Sequence, residues 1–235
     1  YNMQDGKLQR TDRVEVDVAG ERTSIKELVG KKQPDLLLVN DDDYTYTKLR
    51  LDEHSLKTVV DHLSTIPDSL ARASLMSTAW DMTRDAEMST TDFIALLKSS
   101  LPHETFIPMV QRSLMQARTA AQFYGAPAKV EQHMVNLADA YLSWARTLPI
   151  GSDAQFASAK NFVAIARTDE QIKVVKGLLD GSASIDGVAV DTDFRWMLIV
   201  RLAALGLIGE DEIAKEEATD KSAAGQRSAA PARAS

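Results

Sequence analysis

Hydrophobic positions along the chain change their period once, near Asp52, dividing a β-patterned beginning from a helical remainder. In RVEVDVAGERTSI, Val14, Val16 and Val18 fall on one face while Glu15 and Asp17 fall on the other, and Ala19-Gly20 offers a turn before Thr23 and Ile25. This alternation predicts an antiparallel hairpin half exposed to water. Leu36 to Val39 is apolar at every position and too short for a helix, which predicts a more central strand, with Tyr46 to Leu51 as its neighbour. At most four strands are expected. A sheet of that size has an apolar face that must be covered, either by upstream strands of a sandwich or by the helices that follow.

After Asp52 the period becomes 3.6 and stays there. Asp52 is placed to cap a helix carrying Leu56, Val59, Val60 and Leu63, and Pro67 to open a second with Ala71, Leu75, Ala79 and Met82 on one stripe. Ser89 and Asp92 resemble a capping box ahead of Phe93, Leu96 and Leu97. Ile107, Val110, Leu114, Ala117, Ala121 and Tyr124 follow at three- and four-residue spacing with Gly125 as the stop, and Val130, Met134, Leu137, Tyr141, Ala145 and Leu148 repeat the pattern. Ser152 starts a helix with Phe156, Ala159, Val163 and Ala166. Thr168 and Gln171 cap another holding Ile172, Val175 and Leu179, closed by Gly181. Asp191 or Thr192 begins a helix with Phe194, Met197, Leu198, Leu202 and Leu205, and Glu210 to Asp220 forms a last short one.

About nine helices joined by short connectors are expected to lie antiparallel to their sequence neighbours. Pairs recurring roughly every 35 to 45 residues predict a mainly α fold. Its form is a short N-terminal antiparallel β segment, the remnant of a β-sandwich, followed by an α-α superhelix of HEAT-like helix pairs. The expected boundaries are residues 1–51 for the end of the sandwich, 52–220 for an α-helical domain, and 221–235 for a tail or truncated helix rich in Ala, Ser, Arg and Gln.

A chain of 235 residues is long enough to bury roughly 70–75% of its unfolded surface. The net charge of −7, with a pI near 5.2, opposes nucleic-acid binding, which needs clustered cations. No apolar run approaches the length of a bilayer span and no signal peptide is recognisable, so no membrane partner is expected. Cysteine is absent, which excludes disulfides and thiolate chemistry and fits a cytoplasmic setting. The first residue is Tyr1 rather than Met, which suggests a piece cut from a longer polypeptide.

Catalytic patterns are missing. A metallopeptidase helix needs two His one turn apart with a Glu between them; His103-Glu104 begins such a motif, but Ile107 stands where the second His belongs. His54 and His62 lie two turns apart, too far to share an ion, and His133 is isolated. Asp41-Asp42-Asp43 lacks the spaced ligands, central Gly and terminal Glu of a calcium loop and reads as a solvated turn. No nucleophile elbow, phosphate loop or dinucleotide fingerprint occurs. Phe106, Tyr124, Tyr141, Trp144 and Phe156 stand at helical spacing, as core packing requires. In Asp191-Thr192-Asp193-Phe194-Arg195-Trp196 the carboxylates suit a helix N-terminus, and Arg195 is the one candidate for binding a peptide carboxylate.

The run LLLVNDDDYTYTKLRLDEHSL, Leu36 to Leu56, resembles a signature of zinc aminopeptidases of the aminopeptidase N type. There, a hydrophobic strand ends in Asn, an aromatic and a basic residue follow, and an Asp begins the C-terminal helical domain. The matching positions are Leu36 to Val39, Asn40, Tyr46, Lys48 and Asp52. The stretches TIPDSLARASLMSTAWDMTRDAEMST, ARTDEQIKVVKGLLDG and VDTDFRWMLIVRLAALG are similar to helix pairs of the actinobacterial-type enzymes. Thr45 and Thr47 stand where relatives often have Gly and Tyr.

The resemblance implies a zinc metalloaminopeptidase of four parts, of which this chain holds the end of the β-sandwich and most of a helical cap. It implies zinc in the parent enzyme and no cofactor in this chain. The implied partners are the catalytic domain of the same polypeptide and peptide substrates. The parent would be a hydrolase and this segment alone would not. The cap would cover the active-site cleft and shape the substrate cavity, with Arg195 toward the distal end of the peptide. The alternative is a free-standing helical-repeat scaffold that binds protein partners. The β-patterned opening favours the first reading, because a scaffold needs its own complete cap.

Overall fold

Asp5 and Gly6, both at positive φ (48° and 76°), form the two-residue turn that an antiparallel hairpin favours. They join β1 (Asn2–Gln4) to β2 (Lys7–Gln9), with Asn2 opposite Gln9, Met3 opposite Leu8 and Gln4 opposite Lys7. In the computed structural model, residues 1–234 are described, and these are the only strands among them. Ten α-helices make up most of the rest. The fold is therefore mainly helical with a short N-terminal two-stranded sheet. The chain forms two compact units, Tyr1–Phe106 and Ile107 onward.

The strands predicted at Val14 to Val18, Leu36 to Val39 and Tyr46 to Leu51 are not formed. Alternation specifies which side chains share a face, but a strand exists only where its amides and carbonyls find a neighbour. Leu36 comes nearest, exchanging backbone bonds with Tyr1 at 2.8 and 3.1 Å, and its side chain is fully buried. Val18 is 75% exposed, and Val16, Leu37, Val39 and Tyr46 are exposed as well. Beyond Val39 the chain turns on Asn40, Asp42 and Asp43, all at positive φ, which short polar side chains tolerate best. Asn40 bridges the turn, donating Nδ2 to the Thr45 carbonyl at 2.8 Å and accepting the Thr45 amide at 2.9 Å. Arg10 donates to Asp41 and Asp42 at 3.1 Å, so the triple acid is an ion-paired turn.

In the N-terminal unit three helices follow, α1 (Glu53–His62), α2 (Ser69–Arg84) and α3 (Thr90–Ser100). Asp52 and Ser89 cap α1 and α3 by accepting the amides of Ser55 and Asp92 at 3.1 and 3.0 Å, as expected. Asp68, not Pro67, caps α2, accepting the Leu70 amide at 2.8 Å. The core joins Leu8 and Leu36 to Val59, Leu63, Ile66, Leu75, Phe93, Leu96 and Leu97. Inside it lies an ion pair that the sequence does not announce. Arg72 donates Nε and Nη2 to the two oxygens of Glu104 at 2.8 and 3.0 Å, and Nη1 to the carbonyls of Ile66 and Pro67 at 2.7 and 3.0 Å. Glu104 also accepts the amides of Thr105 and Phe106, both at 2.8 Å. Its side chain is 2% exposed, so Glu104 is a buried anchor.

The C-terminal unit contains α4 (Ile107–Thr119), α5 (Val130–Thr147), α6 (Asp153–Ile165), α7 (Asp169–Asp180), α8 (Thr192–Ala204), α9 (Glu210–Thr219) and α10 (Ala223–Ala234). Alternate helices stack on one another: α4 on α6, α6 on α8 and α8 on α10. The intervening helices pair with this row, α5 on α6, α7 on α8 and α9 on α10. Thr168 and Gln171 form the expected capping box, and Gly181 closes α7 at φ 82°. Gly125 does not act as a left-handed stop; residues 120–124 widen into a π turn and Gly125 is extended. The segment expected as a tail or truncated helix is α10. Its Ala229 and Ala232 join Trp196, Ile199, Ala203 and Ile213 in one cluster, and Gly225 passes so close to Asp220 that an added Cβ would lie 2.4 Å from its carbonyl.

Replacing Arg72 by Met leaves the Glu104 carboxylate buried without its counter-charge, and is expected to cost about 3–5 kcal/mol in chemical denaturation of the full chain. Burial alone would raise the pKa of Glu104, but the bonds from Arg72 and from the amides of Phe106 and Thr105 outweigh it and hold the group below the usual glutamate range. Such a group adds stability that is present above its unfolded pKa of about 4.3 and lost as pH falls through the lower folded value. Unfolding midpoints should therefore drop on acidification below about pH 4, and less so in Glu104→Gln. Equal acid sensitivity of the two proteins would contradict the assignment.

Candidate functional site

Arg195 stands in the first turn of α8. Asp191 caps this helix, accepting the Phe194 amide at 2.8 Å, and Phe194, Leu198 and Leu202 bury its apolar face. Arg195 leaves by another face, and all three of its guanidinium nitrogens donate a hydrogen bond. Its Nε and Nη2 donate to the two carboxylate oxygens of Glu216 on α9, both at 2.8 Å, and its Nη1 donates to the carbonyl of Leu179 near the end of α7 at 3.1 Å. The Arg195 side chain is 37% exposed and that of Glu216 10%. The Glu216 bonds outweigh burial and raise the Arg195 pKa further, so the charge is permanent.

The next residue completes the fastening. Trp196 donates its indole N–H to Asp220 at 2.9 Å, and its ring is buried against Ile199, Ala203, Ile213 and the alanines of α10. Bonds from the Ser222 hydroxyl and from Trp196 hold the Asp220 carboxyl below its usual pKa. Arg195 and Trp196 thus tie α8 to three neighbours. A peptide carboxylate would meet Arg195 only in competition with Glu216.

Recesses open on this unit among the described residues. One, of about 340 Å³, lies among Asp169, Lys173, Lys176, Asp180 and Leu207. Another, of about 370 Å³, is lined by Arg118, Arg167 and Arg201 together with Phe123, Met134 and Ile165. Arg195 lines neither. The arginines of the second recess are not singled out by spacing, because they come from α4, a connector and α8. Their sequence signal is faint: Arg201 interrupts the apolar run from Trp196 to Leu205.

The residues present do not fit a zinc site. Among the described residues no three His, Asp or Glu side chains gather as an ion would require. The carboxylate of Glu104, which begins the broken His-Glu motif, is held by Arg72. His133 is buried, and burial together with Lys129 pushes its pKa down. The Tyr141 hydroxyl donates to the Leu114 carbonyl at 2.8 Å, and burial raises its pKa, which opposes a nucleophilic role.

Residues 36–235 match the family of the ERAP1-like C-terminal domain. The aminopeptidase N of Streptomyces lividans is 49% identical over 229 residues, which are 97% of this chain and 27% of that protein. The chain thus spans about a quarter of the length of that curated relative.

Arg195→Met should lower stability by about 1–2 kcal/mol, less than a fully buried charged bond because the pair is partly exposed. Glu216→Gln, which keeps the shape and a hydrogen-bond acceptor, should lower it less. Thermal unfolding of the two variants checks the order, and an unchanged midpoint in Arg195→Met would show that the pair fastens nothing.

Proposed function

The chain belongs to the ERAP1-like C-terminal domain family, and on that premise we propose that it is the noncatalytic C-terminal segment of a zinc-dependent aminopeptidase N. The parent enzyme removes N-terminal amino acids from peptides in the cytoplasm, and this segment covers its active-site cleft and shapes the substrate cavity. One observation carries the reading: identity of 49% with an aminopeptidase N extends over 97% of the chain, through both the β-patterned opening and the helices. The zinc and its ligands belong to another part of the polypeptide.

Residues 1–51 are read as the end of a β-sandwich domain. Val16, Val18, Val29, Leu37 and Val39 are exposed along them, and their backbone lacks ladder partners beyond β2. Further strands of a sandwich would supply both the missing partners and the missing cover. Residues 52–220 are read as the helical cap, continued by α10. A row of stacked helix pairs presents a continuous wall, and a wall over a cleft excludes water and limits what enters. Arg195 takes the distal end of the peptide, its carboxylate exchanging with that of Glu216.

Two measurements test this. The 235-residue chain, assayed on aminoacyl-naphthylamides with added zinc, should give no turnover above buffer. Coding sequence upstream of Tyr1 should contain H-E-x-x-H with a further downstream Glu. Chelator-sensitive cleavage by the chain alone, or a start codon directly before Tyr1, would overturn the proposal, and the latter would favour the free-standing scaffold.

A further inference from the structure

We infer that the recess lined by Arg118, Arg167 and Arg201 is a binding site for a small organic phosphate monoester. Two of these arginines are gathered by the end of α6. Arg201 donates Nε and Nη2 to the Ala166 carbonyl at 2.8 and 2.6 Å, and Arg167 donates Nε to the Ile165 carbonyl at 3.2 Å. A helix C-terminus carries only about half a negative charge, which is too little to offset two guanidiniums. Arg118, in the last turn of α4, adds a third cation to the same recess.

A single carboxylate answers them. Glu131 accepts from Arg167 Nη1 at 2.6 Å, and its side chain is 73% exposed. Among the described residues neither Arg118 nor Arg201 has an ion-pair partner. Burial and the neighbouring Arg167 push the Arg201 guanidinium down, the direction expected of a cation short of counter-charge.

Charge and shape together select the ligand. Three arginines less one carboxylate leave two positive charges. A phosphate monoester carries about −1.5 to −2 near neutral pH, whereas a carboxylate carries one charge. Among the described residues Arg118 has no partner for its five N–H donors and Arg201 has three left after its two bonds to Ala166, and a guanidinium fork fits two phosphate oxygens. Phe123, Met134 and Ile165 form the apolar part of the lining. A volume of about 370 Å³ accommodates a phosphate on an aromatic or short aliphatic body. The site does not include Arg195, and the inference does not rest on the aminopeptidase reading.

Calorimetric titration of the full chain with phenyl phosphate, inorganic phosphate and benzoate tests it. Saturable binding of phenyl phosphate is expected, weaker for inorganic phosphate, at least about tenfold weaker for benzoate, and declining with added salt. Among the described residues Arg118 makes no hydrogen bond that supports the fold, so Arg118→Gln should weaken phenyl phosphate by about tenfold or more with an unchanged unfolding midpoint. The inference is overturned if neither phosphate binds, if Arg118→Gln binds like the parent protein, or if benzoate matches phenyl phosphate, which would indicate a site for a single carboxylate. Equal binding of the two phosphates would overturn it as well, because the apolar lining would then select nothing.

Discussion

Helix α6 sets the constraint on which the C-terminal unit depends, because three other helices, α4, α5 and α8, pack on it at once. Small residues make this possible: Ala154, Ala157, Ser158 and Ala159 are buried along with Phe162, Val163 and Ile165. Short side chains let helix axes approach toward the lower end of the usual 8–10 Å. A helix enclosed this way leaves its terminal amides and carbonyls without water, so side chains must satisfy them. Ser152 caps the start. Gln155 accepts the Gly151 amide at 2.7 Å and donates to the carbonyls of Ala145 and Asp186 at 2.9 and 2.8 Å. Arg167 and Arg201 serve the other end, where packing thereby concentrates positive charge.

Charge is used differently in the rest of the molecule. Arg72 and Glu104 satisfy one another and the surrounding backbone, closing a polar network inside the N-terminal core. Arg195 and Glu216 do the same at a partly open position between α8 and α9. These pairs leave little charge unspent. The excess at the end of α6 stands out against them, and so does the exposed apolar surface of residues 14–46, which the proposed function assigns to a sandwich completed by other strands.

The helices were legible in the sequence because their determinants are local. Asp52, Ser89, Ser152, the Thr168–Gln171 box and Asp191 each cap within three residues of their own position. Pairing between strands is not local, and alternation at Val14, Val16 and Val18 said nothing about a neighbour. Glu104 was missed because Arg72 lies 32 residues away. Weak periodicity left α10 open between a tail and a truncated helix, since it packs through Gly225, Ala229 and Ala232 rather than through large apolar side chains. Arg195 is conspicuous in the sequence through its place at a helix start, but its partner Glu216, 21 residues on, lies outside that pattern. The family resemblance was legible throughout, because it rested on residues and not on the strands they were expected to form.

On the proposed function, these helices govern which peptides a catalytic centre elsewhere in the polypeptide accepts. That role is tested by comparing the intact aminopeptidase with a form lacking residues 53–234, recording kcat/KM for peptides of increasing length beside a single-residue aminoacyl reporter. Reporter hydrolysis should persist in the shortened form while the dependence on peptide length is lost. An identical length profile with and without the helices would contradict it.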